Sequence, residues 1–296
     1  MNLALPTDRE FALFQALVHR EAGIFLGDAK RQLLAGRLAP RLRELGLRSL
    51  GEYYSRVVED REGVELMRLL DLVSTNETSF FRENAHFEFL RTQVLPAWAA
   101  EAEAGHRRRH IRAWSTACST GQEPYSLAMV LREQLPVERG WQIEILATDI
   151  STRVLRQAES AVWPEEKGRD IPPALRKQYM LRGIGPQAGK MRAGPELRSM
   201  VRFQRLNLNE PDYDVPETFD LVLCRNVLIY FTAEGRDAVL DRLISRVDPR
   251  GFLFLGHAES VQGRNQRRVR TVFPTVYAPM VAGPGASQPA PVRLRA

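Results

Sequence analysis

The sequence predicts an α/β chain, a doubly wound and mainly parallel sheet preceded by a small all-helical N-terminal domain. Three observations carry this reading. Residues up to 73 repeat apolar positions at helical spacing. From Trp98 onward, short apolar runs alternate with helical patterns, the order expected of a parallel sheet with crossover helices. Within that second part, IRAWSTACSTGQEPYSLAMVL (Ile111 to Leu131) reads as a strand, a loop of small residues and a helix.

The elements follow in order. TDRE (Thr7 to Glu10) is a capping box, opening a helix with Phe11, Phe14, Leu17 and Val18 on one face. Lys30 to Gly46 is a second helical pattern, with Leu34, Leu38, Leu42 and Leu45 on one side and Lys30, Arg31, Arg37, Arg41 and Arg43 on the other. Pro40 lies inside it and predicts either a kink or two helices. SLGE (Ser49 to Glu52) caps a third helix, and residues 64–73 complete a domain spanning 1–73. A linker, 74–97, leads to an α/β domain, 98–281.

Six strands are predicted there: Ile111–Ala117, Ile143–Asp149, Val201–Leu206, Phe219–Cys224, Phe252–Gly256 and Thr271–Tyr277. The interval Ser151 to Met200 is too long for a plain crossover and suggests a small inserted β-subdomain near 180–200. Its glycines Gly183, Gly185, Gly189 and Gly194 suit tight turns. Residues 282–296, rich in Pro, Gly and Ala, read as a disordered tail.

Composition narrows the functional classes. With 44% hydrophobic residues and 296 positions the chain can bury substantial cores. No apolar run approaches the roughly 20 residues of a membrane span, and the N-terminus lacks the order of a secretion signal. The expected location is therefore cytoplasmic, with Cys118 and Cys224 as reduced thiols. Five scattered histidines show no ligand spacing, so no metal is expected. A net charge of +6 points to an acidic partner, whether nucleic acid, membrane surface or protein. The run His106 to His110 (HRRRH) is read as a solvated loop beside a strand.

The strand–loop–helix at Ile111 and the acid-terminated strand ILATDI (Ile145 to Ile150) point to a nucleoside cofactor, with Asp149 placed to accept ribose hydroxyls. A pyrophosphate cradle needs more glycine than Gly121 alone. Glu123 at the helix start would repel a phosphate, whereas it suits a cofactor with ammonium and hydroxyl donors such as S-adenosylmethionine. Its alternative is simple complementation of the helix N-terminus. Cys118 lies in the same loop, but no base stands by to activate it as a nucleophile.

Five segments in order resemble one family. STNETSFFRE (Ser74 to Glu83), WSTACSTGQEPYSLAM (Trp114 to Met129), ATDI, CRNVLIYF (Cys224 to Phe231) and GFLFLGHAES (Gly251 to Ser260) are together similar to the chemotaxis receptor methyltransferases, the CheR family. The resemblance runs from about residue 10 to 280. It implies a Rossmann-like, S-adenosylmethionine-dependent methyltransferase sheet and an enzyme that forms glutamate methyl esters on cytoplasmic helices of chemoreceptors, releasing S-adenosylhomocysteine. Carried over by position, the cofactor contacts would be Asn76, Thr78, Arg82, Glu123, Asp149, Asn207, Leu208, Arg225 and Asn226. The family's loop carries two acids after its glycine, where this chain has Gln122 and Glu123, which leaves the role of Gln122 open.

Methyl transfer to an ionised carboxylate needs positioning and no general base. Arg82 and Tyr230 are the candidates to orient the acceptor, with a salt-bridge role and a core aromatic role as their respective alternatives. Asn226, following a strand, could instead cap the next turn. The basic face carrying Lys30, Arg37 and Arg41 fits either a solvated surface or contact with acidic receptor. The insert either covers the sheet or docks a receptor C-terminal peptide as an added strand. A nucleic-acid methyltransferase lacks support in CRNVLIYF, which has no proline pair, and a cofactor-sensing regulator would not need an intact site. The chain is expected to act as a monomer, without nucleic acid and without membrane insertion.

Overall fold

The computed structural model describes residues 5–216 and 218–280, so the tail at 282–296 lies outside the described residues. The N-terminal unit has four helices, α1 (Asp8–Ala22), α2 (Arg31–Leu45), α3 (Leu50–Glu59) and α4 (Val64–Val73). The capping box forms, with Thr7 Oγ1 accepting from the Glu10 amide at 3.2 Å and Glu10 returning to the Thr7 amide at 2.9 Å. Phe11, Phe14, Leu38, Leu42, Tyr53 and Leu69 fill its core. Pro40 sits within α2 as one continuous helix, on an exposed face where the unmade hydrogen bond of Gly36 meets solvent.

Residues 74–84 then cross in extended and turn conformation to α5 (Ala85–Phe89), which continues through a π-helical turn, Leu90–Val94, into α6 (Leu95–Glu103). The sequence-based boundary at 97/98 thus falls inside a helix. Pro96 near the start of α6 mimics a helix N-terminus, but the π turn lets the preceding helix run into it.

The large sheet has seven strands: β1 (His110–Ser115), β2 (Gln142–Asp149), β6 (Val201–Arg205), β7 (Phe219–Cys224), β8 (Val247–Leu255), β9 (Val269–Phe273) and β10 (Val276–Pro279). Their order is β6-β2-β1-β7-β8-β10-β9. The first five are parallel, and the last two close the edge in antiparallel pairing. The single strand expected over Thr271–Tyr277 is therefore a hairpin. It turns at Pro274-Thr275, where Thr275 takes a φ of 56° and His86 Nε2 meets its hydroxyl at 2.9 Å.

Helices α7 (Gln122–Gln134), α8 (Thr152–Ser160) and α11 (Ala233–Ile244) follow β1, β2 and β7. Between α8 and β6 lies a second sheet of three antiparallel strands, β3 (Val162–Pro164), β5 (Lys190–Ala193) and β4 (Met180–Arg182), with α9 (Pro173–Tyr179) inside it and α10 (Pro195–Arg198) after it. It begins earlier than the interval near 180–200 because Val162-Trp163 extends directly from the end of α8. The strand order reverses between β1 and β7, which opens a crevice at their carboxyl ends.

Candidate active site

That crevice is a cleft with about 1200 Å³ of empty space counting its open mouth. Asn76, Thr78, Arg82, Glu123, Asp149, Asn207, Leu208, Arg225, Asn226 and Tyr230 all line it. The sheet supplies the floor, residues 74–82 one wall, and the helical unit part of the rim through Lys30, Leu34 and Arg37.

Asp149 ends β2, buried, with Oδ2 accepting from the Ser119 amide and Oδ1 from the Ser151 amide, each at 2.9 Å. Burial raises its pKa, and the two amides pull the other way. Glu123 stands in the first turn of α7 and accepts from Ser115 Oγ at 2.7 Å and Arg225 Nη1 at 2.9 Å. Burial raises its pKa too, against the attraction of Arg225. Two desolvated carboxylates in one cleft are an arrangement that a cationic, hydroxyl-bearing ligand relieves.

Arg225 also donates to the Arg82 carbonyl and, at 3.1 Å, to Glu83 Oε2. Glu83 takes a further bond from Asn226 Nδ2 at 2.9 Å. Burial alone would raise the pKa of Glu83, but Asn226, the His257 amide and Arg225 together hold it below the usual carboxylate value. Asn226 has a φ of 59°, unusual for a side-chain-bearing residue. What holds it is Glu259, buried on the loop after β8. One oxygen of Glu259 accepts from the Asn226 and Gly256 amides at 2.9 and 2.7 Å, the other from those of Val227 and Leu228 at 2.9 and 2.7 Å. A Cβ on Gly256 would lie 2.8 Å from the Asn226 backbone nitrogen, so glycine is required there.

Glu83 and Glu259 were missed as site residues, although both lie inside quoted segments, FFRE and GHAES. Nothing local marks them, because each acts on a loop distant in the chain. The fold also brings His86 and His257 within 3.8 and 3.9 Å of Glu83, a grouping of ligand-type side chains that spacing did not reveal.

Other expectations change in detail. Asn207 lines the cleft, but its amide is engaged, Nδ2 with the Glu21 carbonyl at 2.6 Å and Oδ1 with the Asn209 amide at 3.0 Å. Leu208 borders the cleft while its carbonyl accepts from Tyr213 and Arg242. Arg82 makes a bond of 3.0 Å to the Glu77 carbonyl rather than a salt bridge. Tyr230 is half-buried at the rim, its ring 5.0 Å from Lys30 Nζ, and is not a core aromatic.

Arg41 does not belong to a free basic face. It is bound to Glu65 at 2.9 and 2.6 Å and to Glu44 at 2.8 Å. The Arg107 side chain of the HRRRH run is likewise engaged rather than solvated, against Trp98 at 3.9 Å and beside Asp220 at the start of β7. Cys118 is buried, and burial with the nearby acids pushes its thiol far above its ordinary range, which leaves no nucleophile.

The residues fit S-adenosylmethionine. Asn76 Nδ2 is buried without a partner, an unspent donor in the wall, facing a site that otherwise offers the acceptors Asp149 and Glu123. Fold and donor set define a Rossmann-like methyltransferase preceded by a helical domain. The CheR methyltransferase SAM-binding domain family matches residues 76–278, and the CheR all-alpha domain family matches 9–74. The chain belongs to the CheR family, the S-adenosylmethionine-dependent methyltransferases of chemotaxis.

It is 39% identical over 273 residues to chemotaxis protein methyltransferase 2 of Pseudomonas aeruginosa, covering 92% of this chain and 94% of that protein. With the chemotaxis protein methyltransferase of Escherichia coli K12 it shares 38% over 281 residues, 94% of this chain and 92% of that one. The Borreliella burgdorferi chemotaxis protein methyltransferase is 33% identical over 278 residues, 94% of this chain and 96% of its own. No helix among the described residues is long and apolar enough to cross a membrane.

Proposed function

We propose that this enzyme esterifies glutamate side chains on the cytoplasmic helices of chemoreceptors. One observation carries the acceptor assignment. Lys30, Arg37 and Arg82 line the cleft, and among the described residues none of them pairs with a carboxylate: Arg37 donates to Thr75 Oγ1 at 3.0 Å and the Val73 carbonyl, and Arg82 to the Glu77 carbonyl. A cationic mouth above two buried acids suits an anionic acceptor meeting a cationic cofactor.

Asn76, Thr78, Glu123, Asp149, Asn207, Leu208 and Asn226 would hold the cofactor, Asp149 at the ribose hydroxyls. When bound, S-adenosylmethionine would supply a sulfonium-activated methyl group, whose carbon would bond to a carboxylate oxygen as its C–S bond breaks and the electrons pass to sulfur. Arg82 and Tyr230 orient that carboxylate through a cation and a hydroxyl. Arg225 acts one step behind, fixing Glu123 and Glu83. An acceptor glutamate with pKa near 4.3 is already ionised at neutral pH, so no base is required. Alignment is the main source of rate, worth up to roughly 7–11 kcal/mol in ideal cases.

The three-stranded sheet is the proposed dock for a receptor C-terminal peptide. Its edge strand β4 borders a groove with Leu181, Ile184, Arg182, Lys190 and Arg192, and Leu181 and Ile184 are exposed. The backbone at Gly183 is packed so tightly that a Cβ would come within 1.9 Å of the Gln187 carbonyl. Strand addition there would tether the receptor and raise the local concentration of its glutamates.

The test is transfer of a radiolabelled methyl group to receptor cytoplasmic fragments with and without their C-terminal peptide, to bare RNA and to DNA. Base-labile label on receptor glutamates supports the reading, and base-stable label or label on nucleic acid overturns it. Ile184→Asp should depress methylation of tail-bearing fragments alone; equal loss on both fragments removes the dock.

A further inference from the structure

Glu83 comes from the segment that crosses to α5, His86 from α5 itself and His257 from the loop after β8. The fold sets one ligand-type atom of each within 4.8 Å of the others. Glu83 Oε2 stands 3.8 Å from His86 Nδ1 and 3.9 Å from His257 Nε2. Two imidazoles and a carboxylate are the donor set of a zinc-type cation, because nitrogen ligands disfavour magnesium and calcium. Spacing along the chain concealed the set, since its third member is supplied by a loop distant in sequence.

The His86 ring is fixed in one protonation pattern. It is 2% exposed, and its Nε2 meets the Pro274 carbonyl at 3.3 Å and the Thr275 hydroxyl at 2.9 Å. A carbonyl only accepts, so Nε2 holds the proton. Nδ1 therefore presents a lone pair, buried and without a hydrogen-bond partner among the described residues, toward a carboxylate oxygen. Two acceptors facing each other away from water are unfavourable unless a cation stands between them. A ring whose second nitrogen donates to a backbone carbonyl is also how metal-ligating histidines are commonly oriented.

Ligands about 2.1 Å from a tetrahedral ion lie roughly 3.4 Å apart, so each gap to Glu83 Oε2 must close by only about half an ångström. The His257 side chain is 57% exposed, which lets it make that adjustment and gives an ion a path from solvent. Arg225 does not bar a cation here. It donates to Glu83 at 3.1 Å and to Glu123 at 2.9 Å, one positive charge between two carboxylates. Ligating carboxylates ordinarily carry such an outer hydrogen bond.

We infer that Glu83, His86 and His257 form a binding site for a divalent transition-metal ion of the zinc class, with a fourth position left to water. The ion ties the segment before α5 to the loop after β8 and, through His86, to the turn at Thr275.

The test is calorimetric titration of zinc chloride alone into untagged, chelator-treated enzyme, beside His257→Ala and His19→Ala. His257→Ala keeps the backbone amide that Glu83 accepts from, and both positions are exposed, so melting should stay close to the parent. The expected result is one ion per chain in the parent and in His19→Ala. Affinity in His257→Ala should be lower by about tenfold or more, since even the outer partners of metal ligands are worth about 10–100-fold. Magnesium chloride should bind far more weakly than zinc. No saturable zinc binding in the parent, a loss below about tenfold in His257→Ala, or an equal loss in His19→Ala overturns the site. Magnesium of equal affinity overturns the zinc class.

Discussion

Arg225 Nη1 lies 2.9 Å from Glu123 Oε2, a bond that joins the end of β7 to the first turn of α7 across the topological switch point. The same guanidinium reaches Glu83 at 3.1 Å, so one buried cation holds two carboxylates apart. Buried pairs gain little over apolar packing, but breaking one leaves an uncompensated charge.

Arg225→Ala should therefore cost about 3–5 kcal/mol of stability. Adding Glu123→Gln should restore part of that loss. Urea unfolding of the two single variants and the double variant measures the coupling, and strictly additive losses would show that the two residues do not act as a pair.

Asp149→Ala should weaken S-adenosylmethionine or S-adenosylhomocysteine binding by about 1–3 kcal/mol through lost hydrogen bonds. Calorimetry with the product is the direct measurement. Unchanged affinity would remove Asp149 from the cofactor contacts.

Removing the Glu259 carboxylate should matter although it touches no cleft space. Its two oxygens satisfy the amides of Asn226, Val227, Leu228 and Gly256. Glu259→Ala leaves these donors without their acceptor and frees Asn226 from its left-handed turn, for a loss of roughly 3 kcal/mol. Hydrogen exchange should show the loop after β7 opening before the rest of the sheet; uniform protection would contradict this.

The ion pairs of α2 make Arg37 and Arg41 behave differently. Arg41→Gln strands the buried Glu65 and should cost about 2–3 kcal/mol of stability with little change in KM for receptor. Arg37→Gln should raise KM, most at low salt. Equal effects of the two substitutions on KM would refute the distinction.

His86 is buried with its pKa pushed down to about 4, first by burial and then by Arg225. Its folded value lies below the unfolded one, near 6.5, so the unfolded chain binds more protons between them. The neutral ring's contribution is complete above pH 6.5 and is lost as pH falls toward 4, amounting to about 2 kcal/mol by pH 5. Glu123 and Asp149, both raised, act in the opposite sense, so the comparison must be with His86→Gln. Unfolding at pH 7.5 and pH 5 should show a smaller acid loss in that variant, and an identical loss would exclude His86 as its source.

The sheet was legible because its central strands carry apolar runs, as at LVLC in β7, and the capping boxes marked the helices as plainly. The hairpin of β9 and β10 was not, since Thr275 carries no usual mark of a left-handed turn and is held by His86, distant in sequence. In the site, residues at strand ends were readable from position alone: Asp149 and Asn226 follow apolar runs. Glu83 and Glu259 act by receiving donors from other loops, and that depends on tertiary approach. Arg41 was misplaced for the same reason. A cation on a polar helix face looks free until the partner helix brings up a glutamate.

The bond from Asn207 to the Glu21 carbonyl and the pairing of Ile24 with Phe231 make the helical unit a wall of the cleft. A fragment trimmed to the catalytic half would keep Asp149, Glu123 and the sheet that carries them. It would also expose the amide of Asn207 and the ring of Phe231 and lose one whole side of its cleft. For protein engineering, the first seventy-odd residues are therefore no detachable receptor-reading module. Grafting them from a relative would exchange part of the cleft lining along with any change in target.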